Sequence, residues 1–147
     1  GLILGAAAGM GFAALETSGY GFTIFLESGG SLTSTLMVLA VRSILSPLGH
    51  GTWTAILAAV LFREGHVTHF HLDRQVIGAY LLVSALHGLW NAAPSLFDLF
   101  LPIAPAIIAA QLSIGGVSLY LLSRRWRDAQ RRQLESELQA EVQSPGE

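Results

Sequence analysis

Apolar residues fill four long runs of this chain, separated by short polar links and followed by a charged tail. The first run covers residues 1–26, the second 32–62, the third 76–93, and the fourth opens at Pro102 and reaches Leu122. Apolar runs of roughly 18 residues or more with few charges are long enough to cross a bilayer as helices. The pattern predicts an all-α fold, a polytopic transmembrane helix bundle of about four spanning helices with a polar C-terminal helical tail. Residues 1–123 then form the membrane domain and residues 124–147 a solvated tail.

Within the first run, Gly1, Gly5, Gly9 and Ala13 recur every four residues, a stripe of small side chains that lets another helix approach closely. Phe12 and Glu16 form the neighbouring stripe. The link SGGS (28–31) is a turn, and Ser31 or Thr33 is placed to cap the next helix. As one straight helix the second run would measure roughly 45 Å against a hydrocarbon core of roughly 30 Å, so it must tilt, kink or protrude. Pro47 offers the kink. Pro94 is expected to end the third run, leaving SLFDLFL (95–101) as a short interfacial loop. In the tail, Leu134, Leu138 and Val142 recur every four residues, which suits a short amphipathic helix before the SPGE end.

Polar residues inside the apolar runs are the exceptions that carry information. His87 and Asn91 stand four residues apart, about one helical turn, and so project from one face. Glu16 closes GLILGAAAGMGFAALE, and His50 sits within PLGHGTWTAILAAVLF. Ionisable groups at membrane depth face the bundle interior and mark function. Arg42 precedes His50 by eight residues, about two turns, so it either shares the side of His50 or snorkels to a headgroup. His66, His69 and His71 in the link 63–75 invite a metal reading, but their spacing suits no single helix face and the segment reads as a solvated loop.

Charge then sets the topology. Five of the eight basic residues, Arg124, Arg125, Arg127, Arg131 and Arg132, open the tail, and there is no Lys. The positive-inside rule places that tail in the cytoplasm of a multi-pass protein, expected in the plasma membrane. Alternation puts the link 63–74 on the same side and the Arg-free link 94–102 outside. Counted from their inner ends, His50 and His87 both lie roughly 17 to 20 Å deep, so they can share a site. The same arginines are a topology signal and not a nucleic-acid patch.

Composition agrees with a membrane assignment: 52% hydrophobic residues, 12% charged and a mean hydropathy of +0.54, where soluble domains carry roughly a quarter charged residues. With no Cys, disulfides, thiol nucleophiles and thiolate metal sites are excluded. The chain opens on Gly without a basic segment or a signal-peptide pattern, so it is expected to start within a longer protein.

Three motifs resemble the PrsW family of intramembrane proteases, relatives of the CAAX prenyl protease and bacteriocin-immunity group. GMGFAALE (9–16), followed by Tyr20, resembles the family's G-x-GFAxxE segment. VRSILSPLGHGTWTAILA (41–58) resembles its R-x(4)-P-x(2)-H helix, and ALHGLWNA (85–92) its HxLWN helix. The match covers roughly residues 1–95. The family's paired-glutamate motif, expected on a preceding helix, is absent from this chain, which by itself is expected to be inactive.

The resemblance implies an intramembrane endopeptidase that hydrolyses peptide bonds of membrane-protein or membrane-associated peptide substrates in the lipid bilayer. It implies Glu16, His50, His87 and Asn91 as catalytic groups, with Phe12 and Arg42 supporting. Glu16 would support or share water activation, and Asn91 would donate to the oxyanion. His50 and His87 would orient water or bind a divalent metal such as zinc; the same set also serves acid–base chemistry without metal. A proton-coupled transporter or a non-catalytic membrane scaffold are the rival readings, since both can carry Glu, Arg and His at mid-membrane.

Overall fold

The computed structural model describes residues 1–64, 72–100 and 104–143. They form five α-helices: α1 (Leu2–Glu27), α2 (Leu32–Ser46), α3 (Thr52–Glu64), α4 (Arg74–Phe100) and α5 (Ala104–Gln143), with a π-helical turn, Pro47–Gly51, joining α2 to α3. Among the described residues there is no strand, and four helical segments are long and apolar enough to cross a membrane: Leu2–Glu27, Leu32–Phe62, Arg74–Leu96 and Pro105–Gln143. The second of these comprises α2, the π turn and α3.

Local chemistry explains most boundaries. After α1 the chain reverses through Gly29 and Gly30, whose φ angles of 66° and 90° are open to glycine at little cost. Ser31 caps α2, its Oγ accepting the Ser34 N–H at 3.3 Å, as the sequence allows. Asp73 does the same for α4, accepting from the Gln75 and Val76 N–H groups at 2.9 Å each. Pro47 has no N–H to give, so the α-helical ladder cannot continue through it unchanged; the widened turn that follows absorbs the defect.

Two expectations need correction. Pro94 does not end the third span: α4 continues to Phe100, so no loop begins at Ser95. Proline's fixed φ is compatible with a helix, and the loss of one backbone bond is tolerated in a spanning segment. Nor is the tail helix separate from the last span. α5 runs unbroken for 40 residues, because no Gly or Pro lies between Gly116 and Gln143 and Arg, Gln, Leu, Glu and Ala favour the helix. The expected opening of the fourth span at Pro102 lies outside the described residues.

α3 is the hub. Ala55, Ile56 and Val60 are 1%, 1% and 2% exposed, and the helix packs against α1, α4 and α5. Trp53 and Ile56 meet Val83, Leu86 and Trp90 of α4, with Ile114, Leu121 and Leu122 of α5 closing over them. Large apolar side chains such as Ile3, Leu15, Phe22, Met37, Ile44 and Leu81 point outward. In lipid that is the favourable arrangement, and close packing rather than water exclusion holds the helices together. The small-residue stripe supplies it. A Cβ added at Gly5 would lie 2.5 Å from the Ala58 Cβ and 2.6 Å from the Thr54 carbonyl oxygen; one at Gly9 would meet the His50 carbonyl. α1 therefore lies directly on α3 and the π turn.

Candidate active site

That close approach brings Glu16 to His50. Glu16 lies seven residues, about two helical turns, beyond Gly9 on α1. His50 sits in the π turn, buried, with its Nε2 3.4 Å from Glu16 Oε2. Turns of this type recur at functional sites because the extra residue per turn re-aims a side chain. His87 arrives from α4, and its ring meets that of His50 edge-on at 5.0 Å between centroids. The two histidines, expected from their spacing to be able to share a site, are in contact. One ligand atom each from Glu16, His50 and His87 falls within 4.8 Å of the others.

The supporting residues are placed with comparable definition. Arg42 of α2 donates from Nη2 to Glu16 Oε2 at 2.6 Å, and its guanidinium carbon stands 3.8 Å from the centre of the Tyr20 ring. Arg42 therefore turns into the bundle instead of snorkelling, and Tyr20, one turn beyond Glu16, provides the face on which it rests. Phe12, half-exposed, packs its ring 5.4 Å from that of His50. Asn91, one turn beyond His87, is exposed. His66, His69 and His71 lie outside the described residues.

Two residues of this neighbourhood escaped the sequence reading. Trp53 is 3% exposed, stacks on His87 at 5.2 Å and 25°, and also contacts His50 at 5.5 Å. Its indole N–H donates to Ser118 Oγ of α5 at 2.8 Å. The signal was present: the tetrapeptide H-G-x-W occurs twice, at 50–53 and 87–90, and the two tryptophans meet edge-on at 5.9 Å. Ser118 had no signal, since a serine in an apolar run usually returns its proton to its own helix, as Ser113 does here.

The buried Nε2 atoms of His50 and His87 have no hydrogen-bond partner. Buried polar atoms are nearly always satisfied, so two orphans beside a carboxylate call for a shared partner such as a water or an ion. Two imidazole nitrogens and one carboxylate oxygen are also a donor set of catalytic metal sites that keep one position open. Glu16, His50 and His87 thus fit a metal ion. A groove lined by Leu2, Ile3, Phe62 and Trp126 contains none of these residues, so chemistry rather than concavity identifies the site.

No curated protein and no solved structure matches the chain. A family model does, over residues 1–123, which include each residue of the cluster, and its description is PrsW family intramembrane metalloprotease. With its spanning helices and its Glu–His–His group, the chain is an integral membrane protein that belongs to the PrsW family of intramembrane metalloproteases.

Proposed function

We propose that this protein is an endopeptidase that cleaves peptide bonds of membrane-embedded or membrane-associated substrates at the Glu16, His50 and His87 cluster. The observation that carries the reading is the convergence of these three groups from α1, the π turn and α4 inside an otherwise apolar bundle. Desolvated ionisable groups have no folding reason to meet there, and amide hydrolysis needs fixed charge and hydrogen bonds where water is scarce.

In this reading His50 and His87 would hold a divalent ion such as zinc beside the Glu16 carboxylate. Such an ion, when bound, acidifies a water molecule and polarises a carbonyl. The protein's own groups do the rest. Arg42 fixes the Glu16 carboxylate, which supports or shares acceptance of the proton from the attacking water. Water oxygen adds to the scissile carbonyl carbon, the Asn91 side-chain amide donates to the oxyanion, and the accepted proton passes to the departing amine as the C–N bond breaks. Phe12 covers one side of His50 and limits access of bulk water. The Arg-rich end of α5 faces the cytoplasm, and the plasma membrane is the expected location.

The test is cleavage of a membrane-anchored reporter by the full-length protein. Glu16→Gln, His87→Ala and Asn91→Ala should each lower turnover by about 10² to 10³ while leaving expression and membrane insertion unchanged. A double His87→Ala, Asn91→Ala variant should be little worse than either single one, because the groups act as a unit. Chelation should abolish cleavage and added zinc restore it. Cleavage at wild-type rate by Glu16→Gln and His87→Ala would sink the protease reading.

A further inference from the structure

We propose that Ser118 and Trp53 are positioning residues for His87, so that α5, which supplies none of the clustered Glu and His groups, sets the orientation of the reactive imidazole. The inference rests on the reading of Glu16, His50 and His87 as the active site and adds a determinant on a helix outside the motif-bearing segments.

The geometry forms a directed chain. Ser118 is 0% exposed and its hydroxyl donates to the Ile114 carbonyl at 2.8 Å. A hydroxyl has one proton, so the lone pairs are what it offers to Trp53. The indole N–H is a donor only, and it finds that acceptor at 2.8 Å. With its edge tied to α5, the indole presents its face to His87 in a stacked contact, 5.2 Å between centroids and 25° between planes. Its other end is seated against backbone: a Cβ at Gly49 would fall 2.8 Å from the indole Cη2, so the ring occupies space that any side chain at Gly49 would contest.

His87 needs this support. Its Nε2 is buried and offered to the partner it would share with His50 and Glu16, a single point of attachment that leaves the plane of the ring to be fixed by its neighbours. Orientation therefore comes from ring contacts, Trp53 on one face and His50 at the edge. Groups that orient a metal-ligating or catalytic imidazole typically influence affinity or activity by about 10- to 100-fold. Removing the Ser118 hydroxyl leaves the indole N–H buried and unsatisfied, which favours an indole rotated toward another acceptor and away from the His87 face.

The experiment uses full-length protein in lipid nanodiscs and compares wild type with Ser118→Ala, Trp53→Phe and His87→Ala. One readout is kcat and KM on a membrane-anchored peptide. The other is the proton resonances of the His87 ring, assigned by their loss in His87→Ala, which lie upfield while the imidazole rests on the indole face. Ser118→Ala should lower kcat by about 10-fold or more with KM within about twofold, and move the His87 resonances toward free-histidine positions. If Ser118→Ala does not accumulate, Trp53→Phe, which keeps an aromatic face but lacks the N–H donor, should show the same pair of changes. Wild-type kcat in the folded variant, or a lowered kcat with unmoved His87 resonances, overturns the proposal. Full activity in His87→Ala would instead overturn the protease reading, and the resonances would still decide whether Ser118 orients the ring.

Discussion

Gly9→Ala is the substitution whose consequence can be worked most closely from the structure. Its new methyl group would lie 2.8 Å from Thr54 Oγ1 and closer still to the His50 carbonyl oxygen. Ordinary contact begins at 3.4 Å, so relieving the overlap with the His50 carbonyl carbon, also 2.8 Å away, moves α1 by about 0.6 Å, and the carbonyl oxygen demands more. The obstacle is backbone in a turn that is itself packed, so the displacement falls on α1. Overpacking of this kind costs about 1 to 3 kcal/mol. Glu16 rides on α1 about two turns away, and its 3.4 Å approach to His50 widens with it. A displacement of about 1 Å at a catalytic group costs as much as 10²-fold in rate. Gly11→Ala is the matched control, because a Cβ there meets nothing within 4 Å. Both variants would be measured for thermal stability in detergent and for cleavage of a membrane-anchored reporter. Gly9→Ala should be the less stable and at least about tenfold slower, with Gly11→Ala close to wild type. Equal stability and equal turnover in the two would refute the claim that close approach at Gly9 places Glu16.

Arg42→Lys keeps the charge but loses the planar stack on Tyr20, so it should lower turnover by about 10-fold or more; full activity in a reporter assay would show that charge alone suffices. Replacing His66, His69 and His71 together by Ala should leave turnover nearly unchanged, since Glu16, His50 and His87 already bring a metal-type donor set together; a large loss would move the metal to that link. Reporter fusions after Leu72 and after Glu147 should both read cytoplasmic, and an external signal from either would overturn the assigned orientation.

The sequence by itself determined which segments are long and apolar enough to cross a membrane and which residues are out of place within them. Hydropathy and a rise of 1.5 Å per residue fix spans whatever their neighbours do, because lipid requires every backbone polar group to be bonded within its own segment. The same rule singles out Glu16, His50, His87 and Arg42, whose polarity is conspicuous against an apolar background, and the four-residue recurrence of Gly5 and Gly9 marks a contact face without naming the partner. The partners came only from the tertiary structure. That Arg42 turns to Glu16 instead of to a headgroup depends on the rotation of α2 against α1. That His50 lies in a widened turn depends on how the chain absorbs Pro47, whereas Pro94 is absorbed within α4 without a break in the helix. Asn91 shares a face with His87 by spacing, yet it is exposed while His87 is half-buried, because the bundle covers that face unevenly along its length. Ser118 is the extreme case. Its hydroxyl matters only because α5 happens to lie where the Trp53 indole needs an acceptor, and no pattern within either helix encodes the register between them.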